Sequence, residues 1–380
     1  MKARTLLFAG TALALAACSD QDPTAVQQRS PAPVVAARGN AIDGSYIVVL
    51  NEGADPRSVA AVAGVSPSHV YTAALNGFSA ELNAGQLNAL QHNPNVDYIE
   101  QDGVASIATT QSSATWGLDR IDQRSRPLSG TYTYTATASN VTAYIIDTGI
   151  QANHPQFGTR AVASYGGSDC NGHGTHVAGT IGSTTYGVAK NVRLRGVKVL
   201  DCAGSGAYST IIAGVDWVRA NAVKPAVANM SLGGGANSAL NTAVTNLHNS
   251  GVFVAVAAGN ENQNACNVSP ASAPSAVTVG STTSSDARSS FSNWGSCVDI
   301  FAPGSNITST WSTSTTATNT ISGTSMASPH VAGVAALYLS GSPSASPSTI
   351  TNWIITNSTA NVITGNPTGT PNRLLYKSTL

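Results

Sequence analysis

The sequence predicts an α/β protein, a doubly wound and mostly parallel sheet, preceded by a small α+β unit. Short β-branched or apolar runs recur at residues 141–146, 192–200, 226–232, 252–258 and 276–280, and are of the kind buried in parallel sheets. Helical segments fall between them, and this alternation builds a sheet covered on both faces. The composition suits such a core. Of the 380 residues, 42% are hydrophobic and only 9% charged, against about a quarter charged in average globular proteins. Basic and acidic residues number 18 each. The zero formal charge excludes a dedicated nucleic-acid binder, and the hydrophobicity excludes disorder for the bulk of the chain.

Taken in chain order, Lys2 and Arg4 precede an apolar stretch over residues 6–17, which reads as a secretory signal. Spanning a bilayer takes roughly 20 apolar residues, and neither this stretch nor any later one is long enough. No transmembrane segment is expected. Leu15-Ala16-Ala17-Cys18 resembles a bacterial lipobox, in which Cys18 is acylated; the alternative is an ordinary signal cut near Ala17. Residues 18–41 have few large apolar residues and several prolines, so they read as a flexible linker.

Residues 42–107 form the small α+β unit, with a strand at 46–50, helices at 55–64 and 84–91, and closing stretches at 96–100 and 104–107. A boundary falls at 107–111, because the small, polar residues 108–115 precede Trp116, where the larger unit opens. That unit spans 108–380. Its helix at 209–222 carries Ile211, Ile212, Val215 and Val218 on one face. Its helix at 239–249 carries Leu240, Val244 and Leu247 at helical spacing and stops at Gly251.

In sheets of this kind, function gathers at the carboxyl ends of the strands. Asp147 ends the first strand, within Ile146-Asp147-Thr148-Gly149. A lone Asp there is usually a turn or cap residue. Asn171-Gly172-His173-Gly174-Thr175-His176 sets two imidazoles three apart at the start of a helix. A metal pair is one reading of them, but no third His lies nearby and Cys170 is better used in a disulfide. Gly323-Thr324-Ser325-Met326-Ala327-Ser328-Pro329-His330 opens an apolar helix with Ser325 at its N-terminus. Free amides and the helix dipole favour negative charge there, although a single Ser in that place is more often a cap. Together the three segments supply an acid to orient an imidazole, an imidazole to take a proton and a hydroxyl to attack a carbonyl. Spacing alone does not choose between His173 and His176. The order Asp, His, Ser is that of subtilisin, and the Gly-x-Ser-x-Gly elbow of lipases and esterases is absent.

On these three motifs the chain resembles the subtilases, within them the proteinase K and aqualysin-like branch, from about residue 45 to 376. The resemblance implies a secreted serine endopeptidase with Ser325 as nucleophile, His173 as general base and Asp147 orienting its ring. It makes His176 and His330 structural. Ala257-Ala258-Gly259-Asn260 resembles the oxyanion-hole segment, with the Asn260 amide and the Ser325 backbone N–H as donors. Gly204, Ser205 and Gly206, with Ser231, Leu232 and Gly233, resemble the two edges that hold a peptide as an added strand, and Ala258 and Gly259 adjoin the first specificity pocket. These glycine-rich segments carry no charge, so a broad specificity with an apolar or aromatic preference is expected.

With Cys18 set aside, Cys170, Cys202, Cys266 and Cys297 form an even set in an exported chain, where disulfides are expected. Four cysteines permit three pairings; the resemblance implies Cys170 with Cys202 and Cys266 with Cys297. It also implies structural calcium (Ca2+) and no catalytic metal. Asp299 with the carbonyls of Pro274 and Ala276 matches one site; Asp119, Asp122 and Gln123 resemble a second, against a reading as helix caps or partners of Arg120 and Arg124. Residues 42–107 resemble an inhibitor prodomain that assists folding, is removed by the enzyme itself near residues 107–111, and then occupies the cleft. Polypeptides are the expected substrates, the chain's own prodomain its partner, and the enzyme is expected to act as a monomer.

Overall fold

The computed structural model describes residues 30–37, 41–103 and 108–380. The signal stretch, Cys18 and residues 104–107 lie outside the described residues. The chain divides into two compact units, parted near residue 100, with residues 36–43 grouped with the second. No helix among the described residues is long and apolar enough to cross a membrane.

The first unit is built on β1 (Val34–Val35), β2 (Ala41–Leu50), α1 (Pro56–Val62), β3 (His69–Tyr71), β4 (Gly77–Glu81), α2 (Ala84–Gln91) and β5 (Val96–Gly103). Its sheet has the order β1-β5-β2-β4-β3. Asp55 caps α1 by accepting from the Arg57 amide, and Asn83 and Gln86 close a reciprocal capping box on α2. Val48, Phe78, Leu90 and Ile99 fill the core. The linker expected over residues 18–41 is not flexible throughout: residues 34–35 pair in parallel with Ile99 and Glu100. Ala32 is buried and its amide donates to Gln91 O at 2.7 Å. A two-residue edge strand preceded by Pro31 and Pro33 needs few ladder bonds, so the proline content that marks a tether also suits an edge.

The second unit opens with β6 (Thr109–Ser112), α3 (Trp116–Ile121) and β7 (Thr131–Tyr134), β6 and β7 pairing antiparallel. There follow β8 (Thr142–Asp147), β9 (Ala161–Tyr165), α4 (His173–Gly182), β10 (Arg193–Lys198), α5 (Tyr208–Asn221), β11 (Ala226–Met230), β12 (Gly234–Gly235), α6 (Ser238–Asn249), β13 (Phe253–Ala257), β14 (Val268–Ser269), β15 (Val277–Thr282) and β16 (Ile300–Pro303). β17 (Ile307–Thr310), β18 (Thr318–Ile321), α7 (Thr324–Gly341), α8 (Pro347–Asn357), β19 (Thr359–Ala360) and β20 (Arg373–Leu374) complete it. Nine strands form one sheet in the order β19-β20-β16-β15-β13-β11-β8-β10-β9. All its pairs are parallel except β19 with β20.

Side-chain alternation explains the two covered faces. On β8, Ala143 and Ile145 enter one core with α4, α7 and α8, while Tyr144 and Ile146 enter the other with α5 and α6. Ile211, Val215 and Val218 of α5 and Leu240, Val244 and Leu247 of α6 lie in that second core, as their spacing predicts. β8 has β10 on one side and β11 on the other. The chain leaves β8 for one edge and returns across it, so the carboxyl end of β8 lies at a topological switch point, where open α/β sheets bind ligands.

Candidate active site

Asp147 is the last residue of β8 and is fully buried. Its Oδ1 accepts from His173 Nδ1 at 2.7 Å and from the Thr148 amide at 2.7 Å. Its Oδ2 has no hydrogen-bond partner. His173 opens α4 behind Gly172, which sits at φ +110°; a Cβ there would lie 2.3 Å from the Trp311 ring, so only glycine fits. Burial opposes the imidazolium, but the charge and hydrogen bond of Asp147 and the charge of Asp169 outweigh it. The His173 pKa therefore stands above its ordinary value. The ring keeps 25% of its surface exposed.

Ser325 lies in the first turn of the 18-residue α7. Its Oγ donates to Ser231 O at 3.2 Å, and Ser231 Oγ donates back to Ser325 O at 2.8 Å. No hydrogen bond joins Ser325 to His173 here, so productive geometry needs a turn of the Ser325 side chain away from Ser231. Such bonds commonly tighten only once substrate is bound. Asn260 follows β13 by three residues. Its Oδ1 accepts from the Thr324 amide and Oγ1, both at 2.9 Å, which leaves both Nδ2 hydrogens unclaimed by Thr324.

A groove of ≈ 540 Å³ is lined by His173, by Gly204, Ser205 and Gly206, by Ser231, Leu232 and Gly233, and by Tyr208. Asp201 shapes its first edge, accepting from the Ala203 and Ser205 amides at 2.9 Å each. Ala258 is buried and Gly259 partly so. Gly259 has φ +101°, and a Cβ there would lie 2.3 Å from Asn293 Nδ2 and 2.7 Å from Glu261 Oε2. A carboxylate therefore approaches Gly259, where the flanking glycine-rich segments gave no sign of charge. His176 and His330 sit in the interior, where burial pushes them down to about 3 and about 4, and both stay neutral.

Several residues that hold this site escaped sequence reasoning. Asn293 is fully buried; its Nδ2 donates to Ala258 O and Glu261 Oε2, and its Oδ1 accepts from the amides of Glu261 and Gln263. It clamps the loop that carries Asn260. Thr148, Asp169 and Thr324 act comparably around the other groups. Each is one polar residue in an ordinary loop, and no local pattern marks it.

Cys170 and Cys202 form a disulfide that ties the loop before His173 to the first groove edge, and Cys266 and Cys297 form a second. Among the described residues no three side chains of His, Cys, Asp and Glu gather as a metal cluster. Calcium takes several hard oxygens, and the two expected sites differ in what they offer. Asp299 is partly buried, its pKa raised by that burial, and Oδ2 accepts only the Thr278 amide at 2.8 Å. The described residues hold two ion pairs, Arg120–Asp286 and His173–Asp147, and Asp299 is in neither. A desolvated carboxylate in no ion pair fits a cation, although the charge of Arg373 already acts on it. The second group already takes more protein donors. Asp119 accepts from the Ser129 amide and hydroxyl and from the Gly130 amide, and Asp122 from the Thr133 amide. Gln123 accepts from Ser129 and donates to Ser125 O and Pro127 O. The bonds form a clasp beneath β7 that uses both oxygens of Asp119, while Asp122 keeps Oδ1 free of donors from other described residues and, like Asp299, has its pKa raised by burial.

An acid, an imidazole and a hydroxyl at one end of a doubly wound sheet, beside a groove, define a serine hydrolase of the Asp-His-Ser kind. Residues 138–374 match the subtilase family (Peptidase S8), and residues 45–108 match peptidase inhibitor I9. The chain is 52% identical to an extracellular serine proteinase of Thermus sp. (strain Rt41A), covering 96% of each chain. It is 49% identical to proteinase R of Parengyodontium album, covering 93% of this chain and 94% of that one. A cold adapted subtilisin-like serine proteinase of known structure superposes with a TM-score of 0.68 at 57% identity, over 70% of this chain and 99% of that one. The chain belongs to the subtilase family, carries an I9 inhibitor prodomain, and is a serine-type endopeptidase.

Proposed function

We propose that this is a secreted endopeptidase of broad specificity with an apolar or aromatic preference before the cut, matured by its own removal of the prodomain near residues 107–111. The observation that carries the reading is the 2.7 Å bond from His173 to the buried Asp147, beside Ser325 at the start of α7. Ser325 Oγ attacks the scissile carbonyl while His173 Nε2 takes its proton, and Asp147 holds the ring and stabilises the imidazolium. Asn260 Nδ2 and the Ser325 amide receive the developing oxyanion. His173 then gives its proton to the leaving amine, and water repeats the sequence on the acyl-enzyme. Residues 204–206 and 231–233 take the peptide by its backbone, which favours breadth over side-chain selection. When bound, calcium at Asp299 with the carbonyls of Pro274 and Ala276 would supply charge compensation and fix that loop.

The extracellular relatives and the apolar stretch after Lys2 and Arg4 support export. Maturation is tested by intact mass of wild type and Ser325→Ala expressed side by side in an oxidising exported compartment with calcium. Loss of everything before residues 107–111 from the wild type alone is the expected result. Cleavage of both would assign maturation to another protease. If both stay whole, the chain acts as a silent binding module.

A further inference from the structure

Asp169 stands before Cys170 in the loop leading into α4, and donors from three places saturate its carboxylate. Oδ1 accepts from Thr148 Oγ1 and from the Asn171 and Gly172 amides, all at 2.9 Å. Oδ2 accepts from the Thr175 amide at 2.9 Å and from Thr175 Oγ1 at 2.6 Å. Thr148 follows Asp147 in the chain, and its hydroxyl in turn accepts from the Gly174 amide at 2.9 Å. One carboxylate thus fastens the turn leaving β8, which carries Asp147, to the first turn of α4, which carries His173.

We propose that Asp169 is a positioning residue for the acid–base pair, setting the alignment of Asp147 with His173 through its grip on Thr148 and on the residues around His173. The proposal rests on the triad reading above. A plain helix cap would account for the bonds to residues 171–175. It would not account for the bond to Thr148, which lies outside α4 and its cap, directly after Asp147 in the turn leaving β8. Misplacing a reacting group by about 1 Å can cost roughly a hundredfold in rate, so a tie of this kind acts on turnover more than on binding.

The titratable groups around His173 are Asp147 at the end of β8, Asp169, His176 one turn along α4, and Lys198 at the end of β10, whose Nζ donates to Thr148 O at 2.8 Å. Asp169 is the second negative charge that favours the imidazolium. Its removal therefore has two signatures that a loss of stability would not produce.

The test compares wild type, Asp169→Asn and Thr148→Val, each normalised by active-site titration, with Ser325→Ala at matched protein concentration, all expressed as full chains, on a small peptide substrate across pH. Asp169→Asn is expected to lower kcat about tenfold with KM within about twofold, and to move the acid limb of kcat/KM to lower pH. Thr148→Val keeps every charge and should lower kcat without moving that limb. If wild type turns over, Ser325→Ala does not, and Asp169→Asn keeps the wild-type kcat and acid limb, Asp169 has no such role while the triad stands. If Asp169→Asn does not fold, an unchanged kcat in Thr148→Val overturns the proposal. If wild type is as inert as Ser325→Ala, the triad reading falls and takes this one with it.

Discussion

Thr324 grips Asn260 by its carbonyl: the Thr324 amide and hydroxyl both donate to Asn260 Oδ1 at 2.9 Å. Because Oδ1 is held, Nδ2 is the end left to meet a substrate oxygen, and the amide cannot flip without losing two bonds. The same hydroxyl accepts from the Gly259 amide at 3.1 Å, so the loop after β13 and the start of α7 are fixed together. Asn260, proposed above as an oxyanion donor, is thereby set before substrate arrives, and such preorganisation is what gives electrostatic stabilisation its size.

Asn260→Ala should lower kcat by about 10²–10³ with little change in KM, a magnitude carried over from subtilisin, a member of this family. Thr324→Val keeps shape and the backbone bond but removes the hydroxyl bond that helps hold Asn260, and should lower kcat by up to about tenfold, one poorly placed donor being worth about 1.4 kcal/mol. Steady-state kinetics on a peptide substrate checks both. Equal losses would mean that Thr324 does more than orient Asn260.

Stability should fall with pH below about 6.5 because His176 and His330 are buried neutral. Their values drop to about 3 and about 4 from an ordinary 6.5. The unfolded chain binds those protons first, so their contribution is complete above 6.5 and is lost as pH falls through that window toward about 4. The slope is about 1.4 kcal/mol per pH unit for each histidine. His173 has the opposite sign: its raised value adds stability that is complete below 6.5 and is lost as pH rises through its folded value. Thermal unfolding of Ser325→Ala from pH 7 to 4.5 checks this, and His330→Gln should flatten the slope by about half. An unchanged slope would place the acid sensitivity elsewhere.

The sheet and the three reacting groups were legible because each is written locally. The β8 run is apolar throughout and ends in Asp147, and α7 is an unbroken apolar helix behind Ser325. Asp169, Asn293 and Thr324 were not legible, since what they do depends on which distant loop arrives beside them. The β17–β18 hairpin lies in a Ser/Thr-rich stretch that carries little apolar signal; β18 is exposed at every second residue, while β17 is mostly buried although only Ile307 in it is apolar. The acidic pattern after Trp116 has a second reading. Asp119 and Asp122 have the spacing of ligands, and only the amides of Ser129, Gly130 and Thr133 show where their oxygens are spent.

Arg120 is wholly buried and pairs with Asp286 through Nε at 2.7 Å and Nη2 at 3.2 Å, its other bonds going to Gln123 O and Arg124 O. Breaking such a pair on one side leaves an uncompensated interior charge and costs about 3–5 kcal/mol. Asp286→Asn tests this well, because asparagine tolerates the φ of +64° at that position. In the Ser325→Ala background its Tm should drop by on the order of 10 °C, and the double variant with Arg120→Met should recover part of the loss. A Tm within a degree or two of the parent would show that Gln123 O and Arg124 O alone satisfy the guanidinium.

Calcium separates the two carboxylate groups the sequence put forward. Asp299 is desolvated and takes one amide, whereas Asp119 accepts three protein hydrogen bonds and joins Asp122 in tying down the residues before and within β7. A ligand held only by the folded state stabilises it by about 2.7 kcal/mol at a hundred times its Kd, so calcium should raise the Tm of Ser325→Ala and a chelator should lower it. Asp299→Ala should remove that response. Asp119→Ala should lower Tm with calcium present or absent, because it opens a clasp and removes no ion. Since burial raises the pKa of Asp299, protons compete with the cation there, and the calcium response should weaken as pH falls. A response kept by Asp299→Ala and lost in Asp119→Ala would reverse the assignment and mean that the clasp opens to take the ion.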